Sequence, residues 1–161
     1  MKPSFRLALL AAALLATAFA ARAQQAHAQP VALLAQAAAD SGVVSNPEYE
    51  KAGQIAANAW LLLLDRKDWG TAWDASSGVF RENVPLGAWM DNVPRLRDPL
   101  GKFIERDAGE AVYKKTLGTR QGDFVTVFFN SKFANKADVV ETVTTVREPD
   151  GRWRVTGYTA R

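Results

Sequence analysis

Apolar positions between residues 46 and 67 recur at helical spacing and predict a first helix. Asn46 suits the N-cap and Pro47 the first helical position, so the helix is expected to begin there. It is expected to end between Asp65 and Lys67. Its apolar stripe consists of Ala52, Ile55, Ala59, Leu62 and Leu63. Because Trp60, Leu61 and Leu64 make the last turns apolar on nearly every side, we expect neighbours on more than one side of this helix.

Two more helices are predicted before residue 101. Asp68 is a second N-cap candidate, and an aromatic stripe that starts at Trp69 predicts a helix that continues to Arg81. A third helix is expected to begin near Pro85, with the stripe Leu86, Trp89, Val93 and Leu96. Pro94 lacks an N–H and clashes with the preceding turn, which predicts a kink or an early stop.

After Gly101 the pattern changes to alternation, which predicts strands. Five are expected: Lys102–Arg106, Ala111–Leu117, Asp123–Phe133, Asp138–Arg147 and Arg152–Thr159. Pro149 and Gly151 fit a hairpin with a bulge, Gly151 taking the left-handed conformation. Helices followed by an antiparallel meander indicate an α+β domain, about three helices on a sheet of four to five strands.

The last hairpin can be placed in register by pairing Glu148 with Arg152. Arg147 then pairs with Trp153, Thr145 with Val155, and Val143 with Gly157. Alternation across the sheet predicts a helix-covered face that carries Val139, Glu141, Val143, Trp153 and Val155. The opposite face is expected to carry Thr142, Thr144, Arg152, Arg154, Thr156 and Tyr158. Trp153 is therefore predicted to be a core residue, and Glu141 is the one carboxylate on the face expected to be buried.

The first 23 residues have the anatomy of a secretory signal peptide. A basic start carrying Lys2 and Arg6 precedes an apolar stretch too short to span a bilayer, and Ala21–Ala23 matches a small-x-small cleavage rule. We expect cleavage after Ala23, with cuts after Ala20 or Ala28 as alternatives. Periplasmic or secreted localisation follows, with no membrane span after cleavage. Residues 24–45, rich in Ala and Gln, are predicted to be a tether to a single domain at 46–161.

Composition narrows the possible functions. The full sequence has 20 Lys and Arg against 17 Asp and Glu, and cleavage would remove three basic residues, so the mature chain would carry no net charge. A neutral chain gives no reason to expect a nucleic-acid partner. The remaining basic cluster is interspersed with acids and is interpreted as a solvated face: Arg95, Arg97, Lys102, Arg106, Lys114 and Lys115. The chain has no Cys, so its core must suffice without disulfides.

Most catalytic chemistry is excluded by residue types. The single His, His27, lies near the expected cleavage site, so a His-based triad, a His general base and a Cys or His metal site are all excluded. No phosphate-binding loop is present, and no cofactor is indicated. Asp65, Asp68 and Asp74 lie near helix ends, where capping and solvation explain them. The five Trp residues are interpreted as core packing.

Glu141 is the candidate that remains. The structural interpretation pairs it with Arg97 or Arg106 near the helix–sheet junction, or exposes it at the end of the sheet. The functional interpretation makes the same three residues the polar lining of a pocket, in which the pKa of Glu141 would be raised.

A series of ordered motifs resembles a known bacterial family. The motifs are Trp73-Asp74, Trp89, Arg97-Asp-Pro-Leu-Gly101, Phe133-Ala-Asn-Lys136, Glu141-Thr-Val-Thr144 and Asp150-Gly-Arg-Trp-Arg-Val-Thr-Gly-Tyr158. Together they resemble domain of unknown function 4019, from about Tyr49 to the C-terminus. The resemblance implies an exported domain of cystatin-like or nuclear-transport-factor-2-like fold, with helices packed into a curved antiparallel sheet. It implies no activity, and Pro94 departs from the pattern in the third helix.

Three functional hypotheses follow. The first is a non-catalytic module that binds a small molecule or a protein partner through the sheet and its interior. The second is an enzyme that uses a carboxylate and a Tyr in that interior, a hypothesis that fold alone supports weakly. The third is a structural protein that forms a homodimer through the Thr- and Arg-rich sheet face.

Overall fold

A computed structural model describes residues 45–161. The predicted signal peptide and all but the last residue of the predicted tether lie outside the described residues. The described part is an α+β domain in which four helices precede a sheet of four strands.

The helices are α1 (Pro47–Asp65), α2 (Trp69–Asp74), α3 (Gly78–Asn83) and α4 (Leu86–Arg97), and a 3₁₀ turn follows at Asp98–Leu100. The predicted start of α1 is confirmed, because the Asn46 side chain accepts a hydrogen bond of 3.2 Å from the backbone N–H of Tyr49. Asp68 caps α2 as expected, accepting from the N–H of Thr71 at 3.3 Å.

The strands are β1 (Phe103–Leu117), β2 (Arg120–Phe133), β3 (Lys136–Arg147) and β4 (Trp153–Ala160), joined in an antiparallel meander of order β1-β2-β3-β4. Two predicted strands on either side of Gly109 are one continuous strand, β1. The register between β1 and β2 shifts between Ala108 and Ala111, and this irregularity accommodates the residues that suggested a break.

α1 contacts all four strands, and the stripe predicted for it is wrong. Its buried residues are Gly53, Ala57, Trp60, Leu61 and Leu64, whereas Ile55 is 61% exposed and Leu62 41% exposed. The small residues Gly53 and Ala57 let the helix backbone approach the sheet closely. The sequence pattern missed them because the predicted stripe was based mainly on large apolar side chains. As expected, α1 has more than one neighbour, because it contacts α2 as well as the sheet and Trp60 Nε1 donates to the carbonyl of Ala72 at 2.7 Å. Its apolar side with Ile55 and Leu62 is nevertheless exposed.

The region predicted as one helix from Asp68 to Arg81 is two short helices. Ser76 and Ser77 separate them: the Ser76 hydroxyl donates back to the carbonyl of Ala72 at 2.8 Å, and Ser77 caps α3 by accepting from the N–H of Phe80 at 3.1 Å. Pro94 does not end α4, which continues for three more residues to Arg97.

The hairpin register is correct near the turn and wrong further along. Arg147 pairs with Trp153 and Thr145 with Val155 as predicted, and Gly151 has the expected positive φ of 80°. The register then shifts, so that Val143 pairs with Tyr158 instead of Gly157. Because one extra residue reverses the faces beyond it, Tyr158 lies on the helix-covered side with Glu141, not on the opposite face.

The core contains Trp60, Trp69 and Trp89, which are buried among residues of α1 and the sheet. Trp153 is only partly buried, so the prediction that it is a core residue needs correction: it packs at the margin, with its ring centroid 5.5 Å from that of Tyr49.

Candidate functional site

The three residues predicted as a site lie together inside the domain. The side chain of Glu141, on β3, is fully enclosed, and those of Arg97 at the end of α4 and Arg106 on β1 are 4% and 3% exposed. Arg97 Nη1 donates to Glu141 Oε1. Arg106 Nη2 and Nε donate to Glu141 Oε2 at 2.6 and 2.9 Å. Glu141 is thus paired with both arginines, where the structural interpretation required only one.

Asp65 supplies a second carboxylate that the sequence analysis assigned to capping or solvation. It is the last residue of α1, and its side chain is 7% exposed. Arg97 Nη2 donates to its Oδ1 at 2.5 Å, and Arg106 donates to its Oδ2 and Oδ1 at 2.8 and 3.0 Å. The earlier interpretation of Asp65 is wrong because the helix ends against the sheet, not in solvent.

Ser131 on β2 and Tyr158 on β4 complete the arrangement. The Ser131 hydroxyl donates to Glu141 Oε2 at 2.5 Å and accepts from Arg106 Nε at 3.0 Å. The Tyr158 hydroxyl donates to Glu141 Oε1 at 2.7 Å and accepts from Arg97 Nη1 at 2.8 Å. We call these six residues the polar cluster; they are Asp65, Arg97, Arg106, Ser131, Glu141 and Tyr158. They come from two helices and all four strands.

Aromatic rings lie against the two guanidinium groups. The Cζ atom of Arg97 is 4.8 Å from the ring centroid of Phe133, and that of Arg106 is 4.5 Å from the ring centroid of Phe103. The two rings also contact each other edge to face, with centroids 5.9 Å apart. Cation–π attraction is strongest where water is excluded, so this pair of rings favours the charged arginines in place.

The cluster balances its own charge. Two arginines face two carboxylates, and within residues 45–161 no buried polar side-chain atom lacks a hydrogen-bond partner. The interpretation of Arg97 and Arg106 as part of a solvated basic face is therefore wrong. Both arginines are enclosed, and their charges are neutralised there by Asp65 and Glu141, two carboxylates that lie far from them in the sequence.

The pKa shifts agree with a fixed set of charges. Burial by itself would raise the pKa of Glu141, but Arg106, Arg97 and the two hydroxyl donors together hold it below its usual value. Burial and the neighbouring Glu141 raise the pKa of Tyr158 well above its usual value. For both arginines burial lowers the pKa; Tyr158, Glu141 and Asp65 more than offset this for Arg97, and Asp65 and Glu141 do so for Arg106.

This arrangement does not suit proton transfer. A general base is most effective when its pKa lies near the working pH and the group can reach a substrate. Glu141 has neither property, since its pKa is lowered and its side chain is fully enclosed. A metal site is not present either: in the part of the chain that the structure describes, no group of three or more His, Cys, Asp or Glu residues is placed to hold a metal ion.

A cleft of about 250 Å³ adjoins the polar cluster. Its walls include Leu64 and three aromatic residues, Trp69, Phe103 and Phe133, and its polar lining includes Asp65 and Arg97 of the cluster. Lys67, Asp98 and Lys102 stand exposed at the rim. We call this the corner cleft, because it lies where α1, α4 and the start of β1 meet. That the predicted site residues bind a ligand in this cleft stays a prediction.

The fold and the cluster together define an α+β domain in which helices and sheet are joined by a buried, charge-balanced set of ion pairs. Among helices of residues 45–161, none combines the length and hydropathy that crossing a bilayer requires. The family described as "Protein of unknown function (DUF4019)" matches residues 56–158, so the chain belongs to this family. A search of curated proteins finds no match.

Proposed function

We propose that this chain is an exported, non-catalytic binding module that takes a small ligand in the corner cleft. In this proposal the signal peptide is cleaved after Ala23 and the mature protein acts in the periplasm or outside the cell. The domain adopts a cystatin-like or nuclear-transport-factor-2-like cone, and the ligand has a flat apolar body with one negative charge.

Contacts of Tyr49 support the cone. In a flat sheet the two edge strands of four would lie about 14 Å apart. The ring centroid of Tyr49, in the first turn of α1, is 5.5 Å from that of Tyr113 on β1 and 5.5 Å from that of Trp153 on β4. A sheet that curves around the helix brings both of its edges within reach of this one side chain, which favours the cone.

The lining of the corner cleft supports the ligand chemistry and carries the proposal. Three aromatic residues offer apolar walls, and cations outnumber acids among the charged groups, Lys67, Arg97 and Lys102 against Asp65 and Asp98. Lys67 is held by Asp98 at 2.7 Å, whereas none of the ion pairs in residues 45–161 involves Lys102. A ligand carboxylate would therefore meet Lys102 at the rim.

The polar cluster supports binding over catalysis. Its ion pairs fix Asp65 and Arg97 at the inner end of the cleft, so the walls are pre-formed and a ligand pays little to order them. Because the pKa of Glu141 is lowered, the carboxylate and Tyr158 lack the poised acidity that the enzyme hypothesis requires.

The test uses the protein recovered from a periplasmic fraction, whose intact mass should place its first residue at Gln24. Benzoate is the charged probe and benzyl alcohol the neutral control, both at roughly 1–10 mM and constant ionic strength, where so small a ligand is expected to bind. Benzoate should raise the melting temperature progressively, and benzyl alcohol should do so much less.

Charge reversal identifies the site. Lys102→Glu should abolish the benzoate shift, whereas Lys136→Glu, an equally simple change at an exposed lysine outside the cleft, should preserve it. Equal losses in the two variants, or no shift in the unmodified protein, would contradict binding in the corner cleft. A recovered protein that retains residues 1–20 would contradict export with cleavage.

A further inference from the structure

The sheet face opposite the helices has a regular order of side chains. Alternation places Thr126, Phe128 and Asn130 of β2 on this face, because Val125, Val127 and Phe129 are buried on the other. Phe124 belongs to the same face by alternation, although it is only 5% exposed. Each of these residues pairs with residues of the neighbouring strands, and the paired residues form a row across the sheet. The rows are Lys114-Phe124-Val146-Arg154, then Val112-Thr126-Thr144-Gly157, then Phe128-Thr142-Thr159, then Asp107-Asn130-Val140. We call this the outer face.

The middle of the outer face is apolar or uncharged. Phe128 is 38% exposed, and the hydroxyls of Thr126 and Thr144 form a 3.0 Å hydrogen bond with each other. Val140, in the end row next to that of Phe128, is 45% exposed. An exposed aromatic ring flanked by Val and by Thr residues whose hydroxyls are already paired has the character of an interface core.

The two ends of the outer face differ in charge. Lys114 lies in the row at one end, and Asp107 lies in the row at the other. Both are exposed, and neither takes part in an ion pair within the described residues. Arg154, at the same end as Lys114, is already held by Glu148 and Asp150 of the adjacent turn. Lys114 and Asp107 are thus two charges that are available to a partner, one at each end.

We propose that the outer face docks a second copy of this chain, forming a symmetric dimer. A two-fold axis between the Thr126 row and the Phe128 row sets β1 against β1 of the second copy in opposite directions. Asp107 of each copy then faces Lys114 of the other, and each Phe128 ring packs near Thr126 of the other. A two-fold interface must complement itself in this way, and a face with opposite charges at its two ends does.

The size of the face fits a weak dimer. Its fourteen residues stand about 6.6 Å apart along a strand and about 4.8 Å apart across the sheet, which gives a face on the order of 450 Å². Two copies bury roughly 900 Å², less than a stable interface usually buries, so we expect a weak dimer that dissociates on dilution. This proposal concerns the opposite side of the sheet from the helices and does not depend on the ligand proposed above.

The test is analytical ultracentrifugation of the exported protein from about 1 to 500 μM, a span over which a weak dimer dissociates on dilution. The unmodified protein should shift from monomer to dimer. Phe128→Glu should remain a monomer throughout, and Lys114→Glu should weaken the dimer at least about tenfold, because it sets two acids against each other at each end. The double variant Asp107→Lys/Lys114→Glu restores opposite charges and should recover most of that loss.

Unfolding midpoints of all variants should stay close to that of the unmodified protein at monomeric concentrations, since the three side chains are exposed or half-exposed. A protein that stays monomeric at every concentration would overturn the proposal. So would a dimer that Phe128→Glu leaves intact, and a double variant no tighter than Lys114→Glu would overturn the two-fold arrangement.

Discussion

Replacing Glu141 with Gln is expected to lower the free energy of unfolding by about 3–5 kcal/mol at neutral pH. The substitution keeps the shape of the side chain but leaves two enclosed arginines facing one carboxylate, Asp65. An uncompensated buried charge is costly, because water cannot reach it and the remaining carboxylate, Asp65, balances only one of the two arginines. Urea unfolding followed by tryptophan fluorescence measures the difference.

Glu105→Gln is the matched control. It makes the same chemical change on the same sheet, at an exposed pair in which Glu105 lies 3.5 Å from Lys132. Exposed pairs contribute at most about 1 kcal/mol, so this variant should unfold almost as the unmodified protein does. Equal effects of the two substitutions would show that the polar cluster does not hold the fold.

Gly53→Ala is expected to destabilise the domain by roughly 1–3 kcal/mol, although Ala is the better helix former. A Cβ at this position of α1 would lie 2.5 Å from Val125 Cβ and 2.8 Å from Thr145 Oγ1. Both neighbours belong to the buried face of the sheet, so the helix would have to move away from strands it contacts along its length.

Gly87→Ala is the control variant, because it changes helix propensity in the same way without creating this contact. Gly87 is an exposed residue of α4, and an added Cβ there would meet nothing within 4 Å. That variant should be neutral or gain up to about 1 kcal/mol. If Gly53→Ala were equally mild in the same denaturation experiment, the close approach of α1 to the sheet would be wrong.

The helix starts and the part of the last hairpin nearest its turn could be predicted, because neighbouring residues in the sequence determine them. Asn46, Asp68 and Gly151 act on their own neighbours, and each has the predicted conformation or cap. The break at Ser76 and Ser77 was missed because a continuous aromatic stripe outweighed two small polar residues. Their hydroxyl hydrogen bonds compete with the helix in a way that periodicity does not register.

Only part of the site could be predicted, because some of its residues are brought together by contacts between distant parts of the chain. Glu141 was found because a charge on a core face requires compensation, and that rule pointed to Arg97 and Arg106. Asp65 and Tyr158 were missed because their positions depend on long-range geometry. One is set by where α1 ends against the sheet, and the other by a register shift in β4 that reverses the face of every later residue.

Acid sensitivity follows from the same cluster. A group whose folded pKa lies below its unfolded value, about 4.3 for Glu, contributes stability that is fully present above that value. As the pH falls through the folded pKa of Glu141, that contribution is lost. Stability at low pH should therefore fall more steeply in the unmodified protein than in Glu141→Gln, which has no carboxyl group to protonate at this position.

The role of the polar cluster can be tested by titrating Glu141 itself in the folded protein, followed through its side-chain carboxyl carbon by NMR. Because the cluster is a closed set of structural ion pairs, the pKa of Glu141 should lie below about 4.3, the ordinary value for Glu. A pKa raised above that value would contradict this role, because an enclosed carboxyl group that protonates readily is not held by two arginines. Such a result would restore Glu141 as the acid of a pocket and, with it, the enzyme hypothesis.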